Sequence, residues 1–285
     1  MDDALARRFE NERPRLHALA YRMLGSSAEA EDVVQESWLR LTSADSVDNL
    51  GGWLTTVVSR LCLDALRARR ETPVSAVPDA AGDSAPEDEV LLAGEVGRAL
   101  LVVLDRLAPP ERVAFVLHDL FAVPFAAVGP ILDRTPATAK KLASRARSRV
   151  RGEPAVPAAE LAEHREVVTA FLSAARGGDM ATLLTVLAPD VVRRTDPALL
   201  PPGAAAVLRG AAEVAEGTKL FAANARLAEL ALIDGDVGLV LAPAGRLAGV
   251  LRIEVRRGLL QAYEVVASSE RLAGMEIALL FRGDV

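Results

Sequence analysis

The sequence predicts a multidomain chain in which two all-α domains precede an α+β domain with a curved antiparallel sheet. Three observations support this class. Apolar residues recur every three or four positions as far as Gly152, their spacing changes to two after Arg226, and proline-rich segments interrupt the pattern twice. The predicted boundaries are residues 1–70 and 89–152 for the helical domains, 160–285 for the α+β domain, and 71–88 and 153–159 for the linkers.

Apolar residues on one face predict a bundle of three helices in the first domain. These helices are expected at residues 4–24, 28–41 and 53–70. Gly25-Ser26-Ser27 ends the first one. In the second, Val34, Trp38 and Leu41 follow the spacing i, i+4, i+7 and should face the core, which leaves the polar side chains between them on the outer surface.

The linker at residues 71–88 is acidic as well as proline-rich. Residues 71–95 carry 7 acidic and no basic side chains, whereas residues 96–152 carry 10 basic and 4 acidic ones. The net charge of the whole chain is −6, so its sign conceals the basic segment. The distribution of charge, rather than its sum, indicates that residues 96–152 meet a polyanion.

The second domain ends in a predicted helix-turn-helix. Pro124 begins a short helix, Asp133-Arg134 forms a turn, and a second helix runs from Thr135 to Arg151. Thr135 can cap this helix, and Pro136 fits its first position because the missing N–H costs nothing there.

The helix at residues 135–151 has two different surfaces. Ala139, Ala143, Ala146 and Val150 form a stripe of small residues that can pack closely on the rest of the domain. The remaining surface consists of cations and hydroxyls: Lys140, Lys141, Ser144, Arg145, Arg147, Ser148 and Arg151. Such a helix suits a groove lined by phosphates, although a basic helix alone is about as often an ordinary solvated one.

The C-terminal segment changes from helices to strands. Helices are predicted at residues 160–176, 179–187, 211–222 and 270–280. Strands are predicted at residues 191–195, 226–234, 237–242, 247–255 and 259–266. Asp234-Gly235, Ala244-Gly245 and Arg257-Gly258 mark the hairpin turns. Helices followed by a curled antiparallel sheet make an α+β domain.

Composition excludes several classes of protein. The chain holds one cysteine, Cys62, which excludes an internal disulfide and agrees with a reducing compartment. The N-terminus is acidic and lacks the apolar core of a signal peptide, and no run of about 18 apolar residues predicts a membrane span. We therefore expect a cytoplasmic protein with no membrane partner, and we predict neither a cofactor nor a metal site.

Two segments resemble bacterial RNA polymerase sigma factors of the extracytoplasmic-function (ECF) group. Ala20–Leu41, AYRMLGSSAEAEDVVQESWLRL, resembles their region 2, and Leu104–Arg151, with LDRLAPPERVAFVLHDLFAVPFAAVGPILDRTPATAKKLASRAR, resembles their region 4. The C-terminal segment with HREVVTAFLSAARGGDMATLL is similar to the SnoaL-like cone, an α+β domain fused to the sigma-J-like branch of this group. The resemblance implies a sigma factor that binds core RNA polymerase and promoter DNA.

The resemblance also implies roles for individual residues. In this family the second helix of region 2 binds the clamp helices of the polymerase β′ subunit, and region 4 is expected at the β flap. The positions that match the clamp-binding surface are Asp32, Gln35, Glu36 and Arg40. The candidates for the −10 element are Asn49, Arg60 and Arg67. The candidates for the −35 element are Thr138, Lys140, Lys141, Ser144, Arg145 and Arg147.

Two motifs of a common subgroup are absent. The linker lacks the subgroup's Trp-Leu-Pro-Glu-Pro, and TDPALLPPG at residues 195–203 replaces its Asp-Gly-Gly-Gly-Lys. The chain therefore fits a related branch, and regulation that depends on those motifs does not carry over. We expect regulation in cis by the C-terminal domain, because a complete cone follows region 4 after a short linker.

Two other functions remain open. SnoaL-like cones include isomerases and cyclases that use acidic or histidine bases. Here Asp190, Asp196 and Glu254 are candidate acids, and His164 is the histidine of the domain. The other alternative is a DNA-binding repressor that never touches polymerase, against which the clamp-like helix argues. A small-molecule ligand of the C-terminal domain also stays open.

Overall fold

The computed structural model describes residues 3–44, 46–71, 93–94, 97–200, 203–219 and 222–280. The chain divides into two compact units. The helical unit comprises residues 1–75 and 104–149, and the sheet unit comprises residues 76–103 and 150–285. The predicted acidic linker at residues 71–88 lies outside the described residues, apart from Glu71, which ends a helix.

Three long helices begin the helical unit. They are α1 (Asp3–Leu24), α2 (Ser27–Thr42) and α3 (Leu50–Glu71). The hydroxyl of Ser26 accepts a hydrogen bond from the N–H of Glu29 at 3.4 Å and so caps α2. The predicted inner face of α2 is confirmed: Val34 is buried, and the half-buried ring of Trp38 lies 4.9 Å from that of Phe9.

Shorter helices lead to the basic helix. They are α4 (Arg98–Asp105), α5 (Pro109–Phe115), a π-helical turn (Val116–Leu120), α6 (Phe125–Ile131) and α7 (Pro136–Arg151). The chain between α6 and α7 is short, and Asp133 within it has a φ of 54°. The predicted helix-turn-helix is therefore confirmed as α6 and α7.

A buried arginine lies where the early and late helices of this unit meet. Arg112 of α5 is 2% exposed, and its Nη1 donates a hydrogen bond to Asp105 at 3.1 Å. Its other Nη lies against Gly25, since a Cβ on that glycine would be 3.7 Å away. Burial lowers the pKa of Arg112, and the Asp105 carboxylate opposes this effect. A buried charge is costly unless it is paired, so this ion pair stabilises the packing of α5 on α3.

The sheet unit is an α+β domain. Its helices are α8 (Ala158–Gly177), α9 (Met180–Val186), α10 (Ala211–Thr218), α11 (Ala222–Ala225) and α12 (Ser269–Gly274). Its strands are β1 (Leu187–Thr195), β2 (Val207–Arg209), β3 (Ala228–Ile233), β4 (Asp236–Leu241), β5 (Gly249–Arg256), β6 (Leu259–Val266) and β7 (Ile277–Leu279). The described strands form an open sheet in the order β2-β1-β6-β5-β4-β3-β7.

The predicted α+β class is confirmed, with two differences in its elements. β1 pairs with β6 in parallel, whereas the other neighbouring strands of the described sheet are antiparallel. Residues 277–279, predicted as the end of a helix, form β7 and pair with β3. Both pairings join segments that are far apart in the sequence, so the local spacing of apolar residues does not reveal them.

Two predicted hairpin turns have the same backbone geometry. Asp234 and Gly235 have φ values of 53° and 87°, and Arg257 and Gly258 have values of 53° and 71°. Two consecutive positive φ values define the type I′ turn, whose twist matches that of the strands it joins. The N–H of Ala155 donates to the carbonyl of Gly235 at 2.9 Å, so the predicted second linker is attached to the first of these turns.

The first turn of α4 packs on the sheet within the sheet unit. Glu229 of β3 accepts a hydrogen bond from the N–H of Ala99 at 3.0 Å and lies 3.5 Å from Nη1 of Arg98. A carboxylate in this position satisfies an N–H that the helix cannot pair and is favoured by the helix dipole. Gly245 makes room for Leu101, because a Cβ on that glycine would lie 2.9 Å from the Cβ of Leu101. The sheet unit thus includes the first turn of α4, which lies just before the segment that resembles region 4.

Cys62 of α3 allows a test of the packing inside the helical unit. The side chain is fully buried, and burial raises the pKa of its thiol to about 12, against a smaller opposite effect of Arg112. Since the thiolate is the reactive form, we expect no reaction of the native protein with 5,5′-dithiobis(2-nitrobenzoate) at pH 8. The denatured protein, as control, should release one thiol equivalent per chain. A native protein that reacts as fast as the denatured one would contradict the burial.

Candidate nucleic-acid and polymerase interfaces

The basic helix α7 is positioned by a cap and by its stripe of small residues. The hydroxyl of Thr135 accepts a hydrogen bond from the N–H of Thr138 at 3.2 Å. The predicted stripe is exposed by 1% or less: Ala139, Ala143, Ala146 and Val150. Small side chains let the helix lie close to the rest of the helical unit, and this packing turns its cations outward.

The six residues predicted for the −35 element lie along the outer side of α7. Lys140, Lys141, Ser144 and Arg145 are exposed, and Thr138 and Arg147 are half-buried. Lys140, Lys141 and Arg145 make no ion pair or side-chain hydrogen bond with any described residue. These three positive charges are therefore available to an external anion.

Two acidic residues of the preceding helices neutralise the later turns of α7. Arg147 donates a hydrogen bond to Asp119 at 2.9 Å, and Arg149 pairs with the buried Glu111. Sequence reasoning missed both pairs, although acidic residues in a net basic segment were a signal that could have indicated them. The pairs divide the helix into an uncompensated cationic part around Arg145 and a compensated part after it.

The four residues predicted to meet polymerase lie on the outer side of α2. Asp32, Gln35 and Arg40 are exposed, and Glu36 is half-buried. Nε of Arg40 donates to the Glu36 carboxylate at 2.9 Å. Sequence reasoning missed Leu39, which is 59% exposed beside them. Leu39 adds apolar contact area to a polar surface, a combination that is typical of protein interfaces.

The three residues predicted for the −10 element lie on one side of α3. Asn49, Arg60 and Arg67 are exposed and are spaced by 11 and 7 residues, close to whole numbers of helical turns. Asn49 accepts a hydrogen bond from the N–H of Gly52 at 3.0 Å and caps the helix. Arg60 donates to the carbonyl of Pro130 at 3.0 Å, and Arg67 lies 3.7 Å from a carboxylate one turn earlier. Arg60 is thus engaged by α6 within the helical unit.

The sheet unit contains a small apolar cavity between α8, α10 and the sheet. None of the four residues considered for an enzymatic site lines it: Asp190, Asp196, Glu254 and His164. Asp196 accepts a hydrogen bond from the N–H of Ser268 at 3.0 Å, and Asp190 is exposed. Glu254 and His164 border an open polar groove instead. In the part of the chain that the structure describes, no group of three or more His, Cys, Asp or Glu could hold a metal ion, and no helix is suited to cross a bilayer.

Two family models match the two segments that resemble sigma-factor regions. The model of Sigma-70 region 2 matches residues 8–72, and that of Sigma-70, region 4 matches residues 97–150. The second match ends within one residue of the end of α7.

The chain is also similar to sigma factors of Mycobacterium tuberculosis. It is 39% identical to the ECF RNA polymerase sigma factor SigJ over 93% of this chain and 92% of that protein. It is 41% identical to the probable ECF RNA polymerase sigma factor SigI over 62% of this chain and 65% of that protein. The crystal structure of SigJ aligns with a TM-score of 0.46 and 35% identity, covering 94% of this chain and 98% of that one. The chain therefore belongs to the extracytoplasmic-function family of RNA polymerase sigma factors.

Proposed function

We propose that this sigma factor binds core polymerase through α2, reads the −35 element with α7 and the −10 element with α3, and is regulated in cis by its C-terminal domain. Binding to core RNA polymerase and promoter DNA follows from the family as a whole. The assignment of α7 to the −35 element is carried by one observation. Three cations on the outer side of this helix, Lys140, Lys141 and Arg145, have no partner among the described residues.

At the −35 element, α7 enters the major groove with its outer side. Arg145 is the base-reading residue, because a guanidinium can donate two hydrogen bonds to guanine and that of Arg145 is not engaged within the described residues. Lys140 and Lys141 hold phosphates, and Thr138 and Ser144 add hydroxyl contacts. Arg147 is a secondary phosphate contact, because its bond to Asp119 must open first.

At the −10 element, α3 presents Asn49, Arg60 and Arg67 to the opened strand. Their common side of the helix supports this role. The hydrogen bond from Arg60 to the carbonyl of Pro130 must break before Arg60 can contact DNA. An exposed bond of this kind contributes little stability, so a phosphate can replace the carbonyl at small cost.

The outer side of α2 binds the clamp helices of the polymerase β′ subunit, and the region-4 helices bind the β flap. The polar residues Asp32, Gln35, Glu36 and Arg40 surround the exposed Leu39, which supports a protein-binding surface. Sigma factors are not enzymes, and this chain too acts by binding alone, in the cytoplasm. The proposed domains are region 2 at residues 1–70, region 4 at 89–152 and the SnoaL-like domain at 160–285, with linkers at 71–88 and 153–159.

Regulation in cis is supported by the contacts at the start of α4. Glu229 in the sheet caps α4 and pairs with Arg98, and Leu101 packs at Gly245. The region-4 match begins at residue 97, so these contacts hold its first turn on the C-terminal domain. The first turn of α4 cannot leave the sheet unless these contacts open.

Reconstituted transcription tests the function as a whole. We expect the chain to comigrate with core polymerase in gel filtration and to direct run-off transcription from a subset of a promoter library that shares −35 and −10 elements. Core polymerase alone is the control. A chain that binds the library DNA but does not comigrate with polymerase would be a repressor rather than a sigma factor.

The variant Arg145→Ala tests the −35 assignment. It should weaken −35 binding by about 1–3 kcal/mol, with the largest loss on sites that contain the guanine it contacts. Fluorescence anisotropy of the polymerase complex on a set of −35 variants measures the loss. Arg256→Ala is the matched control, because Arg256 is also exposed but lies on β5. A loss that is uniform across the sites would make Arg145 a phosphate contact, and no loss would remove it from the interface.

The variant Glu229→Ala tests regulation in cis. It removes the cap of α4, a change worth about 1 kcal/mol, which corresponds to a factor of about 5 in the population of the released helix. Run-off transcription at limiting sigma concentration should rise by up to that factor. The control is Glu254→Ala, which removes a sheet glutamate that pairs with Arg256 and does not touch α4. Equal activity of the Glu229 variant and the wild type would contradict the proposal.

A further inference from the structure

The turn between α5 and α6 contains a histidine that the proposed promoter contacts do not include. His118 belongs to the π-helical turn at Val116–Leu120 and is half-buried. Such turns are rare and are frequent at functional sites. The residue that follows, Asp119, bonds Arg147 on the outer side of α7 at 2.9 Å. His118 therefore lies in a segment that is attached to the proposed −35 surface.

Two contacts fix the imidazole ring of His118. Its Nδ1 lies 3.0 Å from the carbonyl oxygen of Val123. The ring stacks on that of Phe125, with 3.7 Å between the ring centres. Phe125 is the first residue of α6, which is the first helix of the helix-turn-helix. In complexes of this motif the first helix crosses the DNA backbone, so the ring is held at the start of a helix that approaches phosphates.

The bond to Val123 decides which protons the ring carries. A carbonyl oxygen only accepts, so Nδ1 must be a protonated nitrogen. In the neutral ring Nε2 is then an acceptor and cannot bond a phosphate oxygen. Nε2 makes no hydrogen bond with any described residue. Only the protonated ring, with an N–H group at each nitrogen, can bond Val123 and a phosphate together.

The carboxylates near His118 already have partners. Three ion pairs engage them: Asp119 with Arg147, Glu111 with Arg149, and Asp105 with Arg112. Residues 120–132, which contain α6, carry no charged side chain, and α7 carries cations only. Arg22 of α1 lies over the ring of Phe121. A protonated His118 therefore finds no unpaired carboxylate on its own turn, on α5 or on α6, so an external anion can supply the opposite charge.

We propose that His118 is a further phosphate contact at the −35 element, made through Nε2 of the protonated ring. The proposal rests on the assignment of α7 to that element. With α7 in the major groove, the start of α6 meets the backbone of the same site, and Nε2 donates to a phosphate oxygen while Nδ1 keeps its bond to Val123. Binding of the −35 element then takes up a proton, so it strengthens as the pH falls into the range where histidine is protonated.

The variant His118→Asn isolates this contact. An asparagine amide can replace Nδ1 as the donor to Val123 but does not reach as far as Nε2. Fluorescence anisotropy of the polymerase complex compares −35 binding by the variant and the wild type at pH 6 and pH 8, and the ratio of the two affinities cancels the titration of polymerase itself. The variant should bind about three- to tenfold more weakly at pH 6 and about equally at pH 8. A ratio that is the same at both pH values overturns the proposal.

Two further variants complete the test. His118→Arg carries a permanent charge, so its binding should depend little on pH, and the slope of log K against log salt should be steeper by about 0.9 than that of His118→Asn. This comparison keeps the contact testable if the asparagine variant folds poorly, and equal slopes would contradict it. His17→Gln, at a half-buried histidine of α1, is the matched control and should behave as the wild type does at both pH values.

The variant Arg145→Ala separates this proposal from the assignment on which it rests. If Arg145→Ala and His118→Asn both leave −35 binding unchanged, the assignment of α7 to the −35 element fails and the histidine contact fails with it. If Arg145→Ala weakens binding and the His118→Asn ratio does not change with pH, the histidine contact alone is wrong.

Discussion

The ion pair between Arg112 and Asp105 is the constraint on which the helical unit depends. A guanidinium that is 2% exposed must keep its carboxylate, or the unit carries an uncompensated charge in its interior. The pair fixes α5, and α5 also supplies Glu111, the partner of Arg149 in α7. The buried charge of Arg112 and one ion-pair partner of the basic helix α7 therefore lie next to each other on α5.

Internal contacts occupy some of the side chains on the two helices that we propose to read promoter DNA. Arg60 of α3 is bound to the carbonyl of Pro130, and Arg147 is bound to Asp119. Arg22 lies 5.5 Å from the centre of the Phe121 ring, and burial lowers its pKa. Exposed ion pairs are weak, so promoter phosphates can exchange with the outer contacts while the buried ones persist. In the proposed function, promoter recognition is therefore an exchange of side-chain partners on helices that keep their positions.

Local signals predicted most of the fold but few of its long-range contacts. The cap at Thr135, the buried alanine stripe and the turn at Asp234-Gly235 follow from residue type and spacing within one element. The parallel pairing of β1 with β6, the strand β7 and the pair between Arg147 and Asp119 join distant segments. Periodicity describes the faces of one element and does not identify what packs against them. For the same reason the burial of Arg193 has no local signal in the sequence.

The placement of the aromatic residues has an optical consequence. Both tryptophans of the chain, Trp38 and Trp53, belong to α2 and α3, and the first of them lies against Phe9. The sheet unit holds Tyr263 in its core and contains no tryptophan. Indole emission excited at 295 nm therefore originates in region 2 alone. A single unlabelled sample can report the melting of that domain separately from the far-ultraviolet dichroism of the whole chain.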